Sequence, residues 1–194
     1  LGSGTRVVAT EKMHTQGSIA TTDNALDVAI DGRGFFPVLL PDGTQAYSRD
    51  GSFKVSDQGQ LVTASGYTLQ PGINIPRDAQ SITIGTDGIV SVALPNQPTP
   101  TTVGNLQLSG FINPTGLQPV GENLFVESAA SGSPQAGTPG LTGLGNLRQG
   151  ALEASNVNIV EEMVGMIETQ RAYEMNSKVI STADGMMQFL NNNV

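Results

Sequence analysis

Apolar and polar positions repeat with two different periods along this chain, and the change of period divides it. From residue 5 to residue 127 the repeat is short. Thr5-Arg6-Val7-Val8-Ala9-Thr10 alternates and predicts an extended piece. Leu26, Val28 and Ile30 alternate with Asp27, Ala29 and Asp31, so a strand is predicted there in spite of the helix-like start at Thr21. Strand signals then recur about every ten residues. They lie at Gly34–Leu40, Ala46–Ser48, Phe53–Val55, Leu61–Thr63, Tyr67–Leu69, Ile73–Pro76, Ser81–Gly85, Ile89–Leu94, Leu106–Ile112 and Glu122–Glu127. Turn chemistry separates them, as in Pro41-Asp42-Gly43-Thr44, Arg49-Asp50-Gly51-Ser52 and Asn113-Pro114-Thr115-Gly116, while Thr86-Asp87-Gly88 has hairpin spacing. The pattern predicts a mainly β chain whose body is an all-β sandwich or barrel-like domain.

From Val157 to Leu190 the period becomes helical. Val160, Met163, Val164 and Ile167, then Ala172 and Met175, then Val179, Ala183, Met186 and Leu190 follow one another at helical spacing. Asn158 is placed as the N-cap, Glu161 at N3, and Glu161 with Glu162 puts negative charge at the positive end of the helix dipole. Glu174 and Lys178 have (i, i+4) spacing. Such a helix is roughly 50 Å long, and no second helix is predicted to cover it. Its apolar positions must meet a sheet, a membrane or other chains. Glu161, Glu162, Glu168, Arg171, Glu174 and Lys178 interrupt every window long enough to span a membrane, and the excess of acids disfavours an anionic lipid surface. Two burials stay open: helix against helix between chains, and docking on the chain's own sheet. The candidate assembly positions are Val160, Met163, Val164, Ile167, Gln170, Arg171, Tyr173, Asn176, Val179, Ala183, Met186 and Leu190. Of these, Gln170, Arg171, Tyr173 and Asn176 read either as a solvated face or as hydrogen-bonding groups that fix register. Gly165 and Gly185 each cost about 1 kcal/mol against Ala in a helix, which is easier to understand where backbones pack closely.

Between the two patterns, Ser128–Gly150 is small, polar and rich in Gly and Pro. The predicted order is an extended segment over 1–15, a β-rich domain over 16–127, a linker over 128–156 and a helix over 157–194. Pro95–Thr102 reads as a loop within the β domain.

Composition removes several kinds of chemistry. The 194 residues carry a formal net charge of −8, which argues against nucleic acid as a partner. There is no cysteine, so disulfide scaffolds, zinc ribbons and thiol catalysis are excluded. His14 is the single histidine and reads as a solvated strand residue, not a metal ligand. The Asp-Gly pairs beginning at Asp31, Asp42, Asp50 and Asp87 lack the spacing of a calcium loop and read as turns. No nucleophile elbow is present, and Gly32-Arg33-Gly34 lacks the rest of a dinucleotide fingerprint. The methionines of the helix read as adaptable packing residues. No catalytic residue, metal site or cofactor is predicted. The chain opens on Leu1 without a charged-then-apolar leader.

Two motif sets carry a family resemblance. One is Asp27-Val28-Ala29-Ile30-Asp31-Gly32-Arg33-Gly34-Phe35-Phe36 with Tyr47-Ser48-Arg49-Asp50-Gly51-Ser52-Phe53 and Gly59-Gln60-Leu61-Val62-Thr63. The other is Leu152-Glu153-Ala154-Ser155-Asn156-Val157-Asn158, then Glu161-Glu162-Met163-Val164 and Gln170-Arg171-Ala172-Tyr173-Glu174-Met175-Asn176-Ser177-Lys178. In this order they resemble the bacterial flagellar rod and hook family. Within it the chain is most similar to distal-rod members, through Gly4–Glu11 with His14–Gly17, Ile82–Gly85 with Asp87-Gly88, Gly121–Phe125 and Thr138–Leu141. Ser48 stands where the family usually has Thr. The resemblance implies a non-enzymatic structural subunit that polymerises into the distal rod and passes torque to the hook. It further implies self-association, contacts with proximal rod and hook subunits and with basal-body ring proteins, and no membrane insertion. A periplasmic location and flagellar export without a cleaved leader follow from the same resemblance. Family members have an N-terminal helix that pairs with the C-terminal one, so the chain is expected to be a fragment beginning after it. Alternatives are a proximal-rod or hook subunit and, in another class, a secreted carbohydrate- or peptidoglycan-binding β module. With three Tyr and no Trp, that module has little from which to build an aromatic platform.

Overall fold

A computed structural model of the chain describes residues 6–8, 10, 12–95, 97 and 99–192. It divides into two compact units, Leu1–Ser155 and Asn156–Val194. The first unit is built of short strands: β1 (Ile19–Thr21), β2 (Val28–Asp31), β3 (Phe36–Leu39), β4 (Gln45–Ser48), β5 (Lys54–Val55), β6 (Leu61–Val62), β7 (Thr68–Leu69) and β8 (Ser81–Ile84). There follow β9 (Ile89–Ala93), β10 (Thr101–Asn105), β11 (Leu108–Gly110), β12 (Gln118–Gly121), β13 (Leu124–Val126), β14 (Gln135–Gly137), β15 (Asn146–Gln149) and β16 (Ala151–Glu153). The second unit holds one helix, α1 (Ile159–Asn192).

A seven-stranded sheet runs β12-β13-β4-β3-β7-β6-β5 and a three-stranded sheet runs β10-β9-β8. Three two-stranded ribbons, β1-β16, β15-β2 and β11-β14, complete the unit. The alternation that predicted strands also fills the core. Phe36, Val38, Leu61 and Leu69 from the large sheet pack in one cluster with Ile84, Val90 and Val92 from the small one and Val28, Ile30 and Leu147 from a ribbon. A second cluster gathers Phe35, Tyr47, Phe111 and Leu117, with Phe125 packed against it.

Residues 6–8 and 10 of the expected extended piece form no strand, while Thr5 and Ala9 lie outside the described residues. The structure corrects two sequence expectations. Ile73 and Ile75 are buried without a strand, and only Asn74 makes an isolated bridge, to Gln60. The larger correction concerns the expected linker over 128–156. It carries β14, β15 and β16, which pair with β11, β2 and β1. Its glycines mark close approach, not slack: a Cβ on Gly145 would lie 2.5 Å from the Asp31 carbonyl oxygen, and one on Gly137 would lie 2.7 Å from Leu144 Cδ1. Gln149 stitches the stretch in place, donating to Ala25 O at 2.7 Å and Ile82 O at 2.9 Å and accepting from Ile84 N at 3.1 Å.

Candidate assembly surface

The helix begins where its caps place it. Asn158 Oδ1 accepts from Val160 N at 3.2 Å, which satisfies one of the terminal donors, and Asn158 O accepts the first intrahelical bond, from Glu162 N at 3.1 Å. Glu161 and Glu162 occupy the first turn. Over its 34 residues α1 contains no proline. Thr169 and Thr182 turn their hydroxyls back to the carbonyls of Gly165 and Lys178, each at 2.8 Å, removing two hydroxyls from the outward polar face.

Every side chain of α1 from Ile159 to Phe189 is exposed. Among the predicted assembly positions, Ile167 is 48% exposed, Val164 50%, Val179 66% and Val160 71%. Leu190 falls outside the residues whose side chains are described. The apolar positions do not form one straight stripe. At roughly 100° per residue, Val160, Met163, Val164 and Ile167 centre on one side, and Met175, Val179, Ala183 and Met186 lie roughly a quarter turn round the axis. The second group forms a shallow apolar groove with Lys178 and Thr182. By the same geometry Gln170, Tyr173 and Asn176, three residues apart in turn, share one broad side of the helix about 120° wide, while Arg171 lies away from them. Sequence spacing treats the set as one face because each short window is amphipathic; the drift emerges only over the full length. Met166, Ile180, Met187 and Phe189, also exposed and apolar, fall outside the predicted set.

Where chain and sheet meet at the start of the β unit, a second arrangement stands out. Arg49 Nε lies 2.7 Å from Glu153 Oε2, and its Nη1 and Nη2 donate to the carbonyls of Gly34 at 3.0 Å and Gly32 at 2.8 Å. Glu153 Oε1 accepts from Gly17 N at 2.8 Å. A Cβ on Gly17 would come within 1.9 Å of Ala154 O, so this crossing requires glycine. The clamp ties the Asp31–Gly34 loop, the segment before β1 and strand β16 to one guanidinium. Charge-assisted hydrogen bonds of this kind hold geometry more strongly than neutral ones.

His14 departs from the solvated strand residue expected of it. Its ring stands edge-to-face to Phe35 and Phe125, and the residue is not in a strand. Burial, followed by the nearby charges of Lys12 and Arg49, lowers its pKa from the ordinary histidine value. Tyr47 is pushed up by burial and by Glu127. Among the described residues no cluster of His, Asp or Glu is arranged to hold a metal ion, and no helix is long and apolar enough to cross a membrane.

Comparison with known proteins finds two family matches along the chain. Residues 29–92 match the family described as flagellar hook protein FlgE/F/G D1 domain, and residues 148–193 match the flagellar basal body rod FlgEFG protein C-terminal family. The chain is 55% identical over 190 residues to the flagellar basal-body rod protein FlgG of Buchnera aphidicola subsp. Acyrthosiphon pisum, covering 98% of this chain and 73% of the relative. It is 51% identical over 194 residues to FlgG of Borreliella burgdorferi, covering 99% and 73%. The flagellar hook-basal body complex protein FlhP of Bacillus subtilis is 32% identical over 201 residues, covering 98% and 73%. With identity at this level along nearly its whole length, the chain belongs to the family of the flagellar basal-body rod protein FlgG.

Proposed function

We propose that this chain is a structural subunit of the flagellar distal rod that polymerises through α1. The carrying observation is a contrast in burial: the β unit encloses a complete core, while the helix leaves Val160, Val164, Ile167 and Val179 in water. An apolar helical surface of this size is stable in an aqueous compartment when neighbouring helices cover it. The rotation of its two apolar groups has a further consequence. One straight partner covers one group, so α1 calls for at least two neighbours, the arrangement that open helical assemblies provide through heterologous contacts. The β unit then forms the outer wall and stiffens it by lateral contact. The subunit works as part of a drive shaft, not as an enzyme.

On this reading the partners are other copies of the chain, proximal rod subunits at one end, hook subunits at the other, and the basal-body rings around the shaft. On the same reading the chain is exported by the flagellar apparatus and acts in the periplasm.

The test replaces Ile167 and Val179 with Asp in the complete subunit, expressed in cells lacking their own copy. Electron microscopy of purified basal bodies is expected to show rods that stop short, while the variant's β unit retains wild-type unfolding. Full-length rods built from the I167D/V179D subunit would overturn the helix-core mechanism.

A further inference from the structure

Among the contacts that hold the segment 12–17 to the β unit are attachments of two different chemistries. At its far end the attachment is polar. Gln16 Nε2 donates to Ile30 O at 3.2 Å, Gln16 Oε1 accepts from Gly32 N at 3.1 Å, and Gly17 N donates to Glu153 Oε1. At its near end the attachment is aromatic. The His14 ring lies 5.8 Å from Phe35 and 5.3 Å from Phe125, centre to centre, and Lys12 Nζ stands 5.2 Å from the centre of the Phe125 ring. His14 Nε2 is buried there without a hydrogen-bond partner among the described residues.

These attachments respond differently to a proton. A neutral imidazole leaves a bare acceptor against the rings at modest cost, whereas an imidazolium must bury a charged N–H with nothing to receive it. The two cations facing it add to that cost. Lys12 on the same segment and Arg49 after β4 are both cations. Glu153 on β16 is already engaged by Arg49 and Gly17 N. Glu127 after β13 acts on the Tyr47 hydroxyl. Attraction of an imidazolium to the phenyl rings works the other way, but Lys12 already stands over Phe125.

We propose that residues 12–15 are a proton-released strap, closed over Phe35 and Phe125 while His14 is neutral and lifted when it is protonated, pivoting on Gln16-Gly17. The sign follows from linkage. The closed state lowers the histidine pKa, so closure is complete above the free value of about 6.5 and is lost as pH falls through the lower closed-state value. The stretch before β1 is thus rigid at neutral pH and loosened in acid, without loss of the sheet beneath it.

An NMR titration of the whole chain from about pH 8 to about pH 5 tests this, following the His14 imidazole and the amides of residues 12–17. His14 is expected to titrate below the free value, with the amides of Met13–Thr15 losing at least about tenfold in hydrogen-exchange protection in step, while Gly17 keeps its own. His14→Phe is expected to remove the transition by holding the strap closed at every pH. Lys12→Glu, which replaces a facing cation with an anion and takes the ammonium from over Phe125, is expected to raise the pH at which His14 titrates and to shrink the loss of protection that accompanies it, since the closed state then tolerates the imidazolium better. Titration of His14 at or above the free value overturns the proposal. So does an unchanged transition in H14F, which would assign it to a carboxylate.

Discussion

Val28, Ile30, Phe36, Val38 and Leu106 are shielded from water, each with no measurable exposure, whereas Val160 and Phe189 of α1 are 71% and 70% exposed. The two regions contain the same kinds of side chain. What differs is where their partners come from. In the β unit each apolar residue meets others of the same chain, from strands distant in sequence, so the unit carries its own stability. In α1 the apolar residues are exposed along one helix, and on the proposed reading their burial free energy, about 25 cal/mol per Å², is realised on association. On that reading the subunit separates two tasks: a body that keeps its shape alone, and a helix whose apolar surface is covered in the assembly.

The comparison is broken most severely at Gly51. A Cβ there would lie 1.7 Å from the Val28 carbonyl oxygen and 2.8 Å from its carbon, both backbone atoms. Gly51→Ala is expected to remove more than about 4 kcal/mol from the β unit, read as a collapse of the urea midpoint, while helical content persists. Next in size is Leu106→Ala, which opens a cavity in a fully buried position and costs about 3 to 5 kcal/mol in the same assay. The matching change on the helix, Val179→Ala, is expected to shift that midpoint by less than about 0.5 kcal/mol. A comparable loss from V179A would mean that α1 contributes to the stability of the isolated chain, and the division of tasks would fail.

Smaller than the two core changes is Arg49→Met, which releases Glu153 and the carbonyls of Gly32 and Gly34 together. Hydrogen bonds to charged groups of this burial are worth about 1.5 to 3 kcal/mol, so a loss of about 2 kcal/mol is expected in urea unfolding. A zero effect would reduce the clamp to a surface contact.

Much of this molecule is legible in its sequence, and the reasons are local. Asp42-Gly43 and Asp87-Gly88 make turns because those glycines adopt φ of +83° and +87°, which the dipeptide signals directly. The N-cap at Asn158 is legible for the same reason. Ser48, the one departure from the family pattern, keeps its hydroxyl function by donating to Asn123 O at 3.0 Å and accepting from Asp50 N at 3.1 Å. The illegible parts depend on distant partners. Gln135–Gly137 and Asn146–Gln149 look like linker because they are short and Gly-flanked, and only pairing with β11 and β2 makes them strands. His14 reads wrongly from sequence because the rings that cover it come from Phe35 and Phe125, and no local pattern links them. The helix surface fails differently: its residues are correctly apolar in the sequence reading, but the rotation between its two groups needs the whole length of α1 to appear.

The smallest expected effect on stability is also the most informative about assembly. Gly165 and Gly185 stand in α1 with nothing within 4 Å of where an added methyl group would sit, so space in the isolated chain does not require either one. Helix propensity alone then predicts that Gly165→Ala stabilises α1 by about 1 kcal/mol, seen as a small rise in helical circular dichroism on heating. If neighbouring backbones approach closely at Gly165 in the rod, the same methyl group must hinder polymerisation. The two readouts then move in opposite directions: a more helical subunit and a poorer rod. If G165A improves both, the glycine is not a packing site, and the close approach of helices belongs elsewhere along α1. Gly185→Ala, made in parallel, tells whether such an approach occurs on a second side of the helix, since at roughly 100° per residue Gly185 lies about 160° round the axis from Gly165.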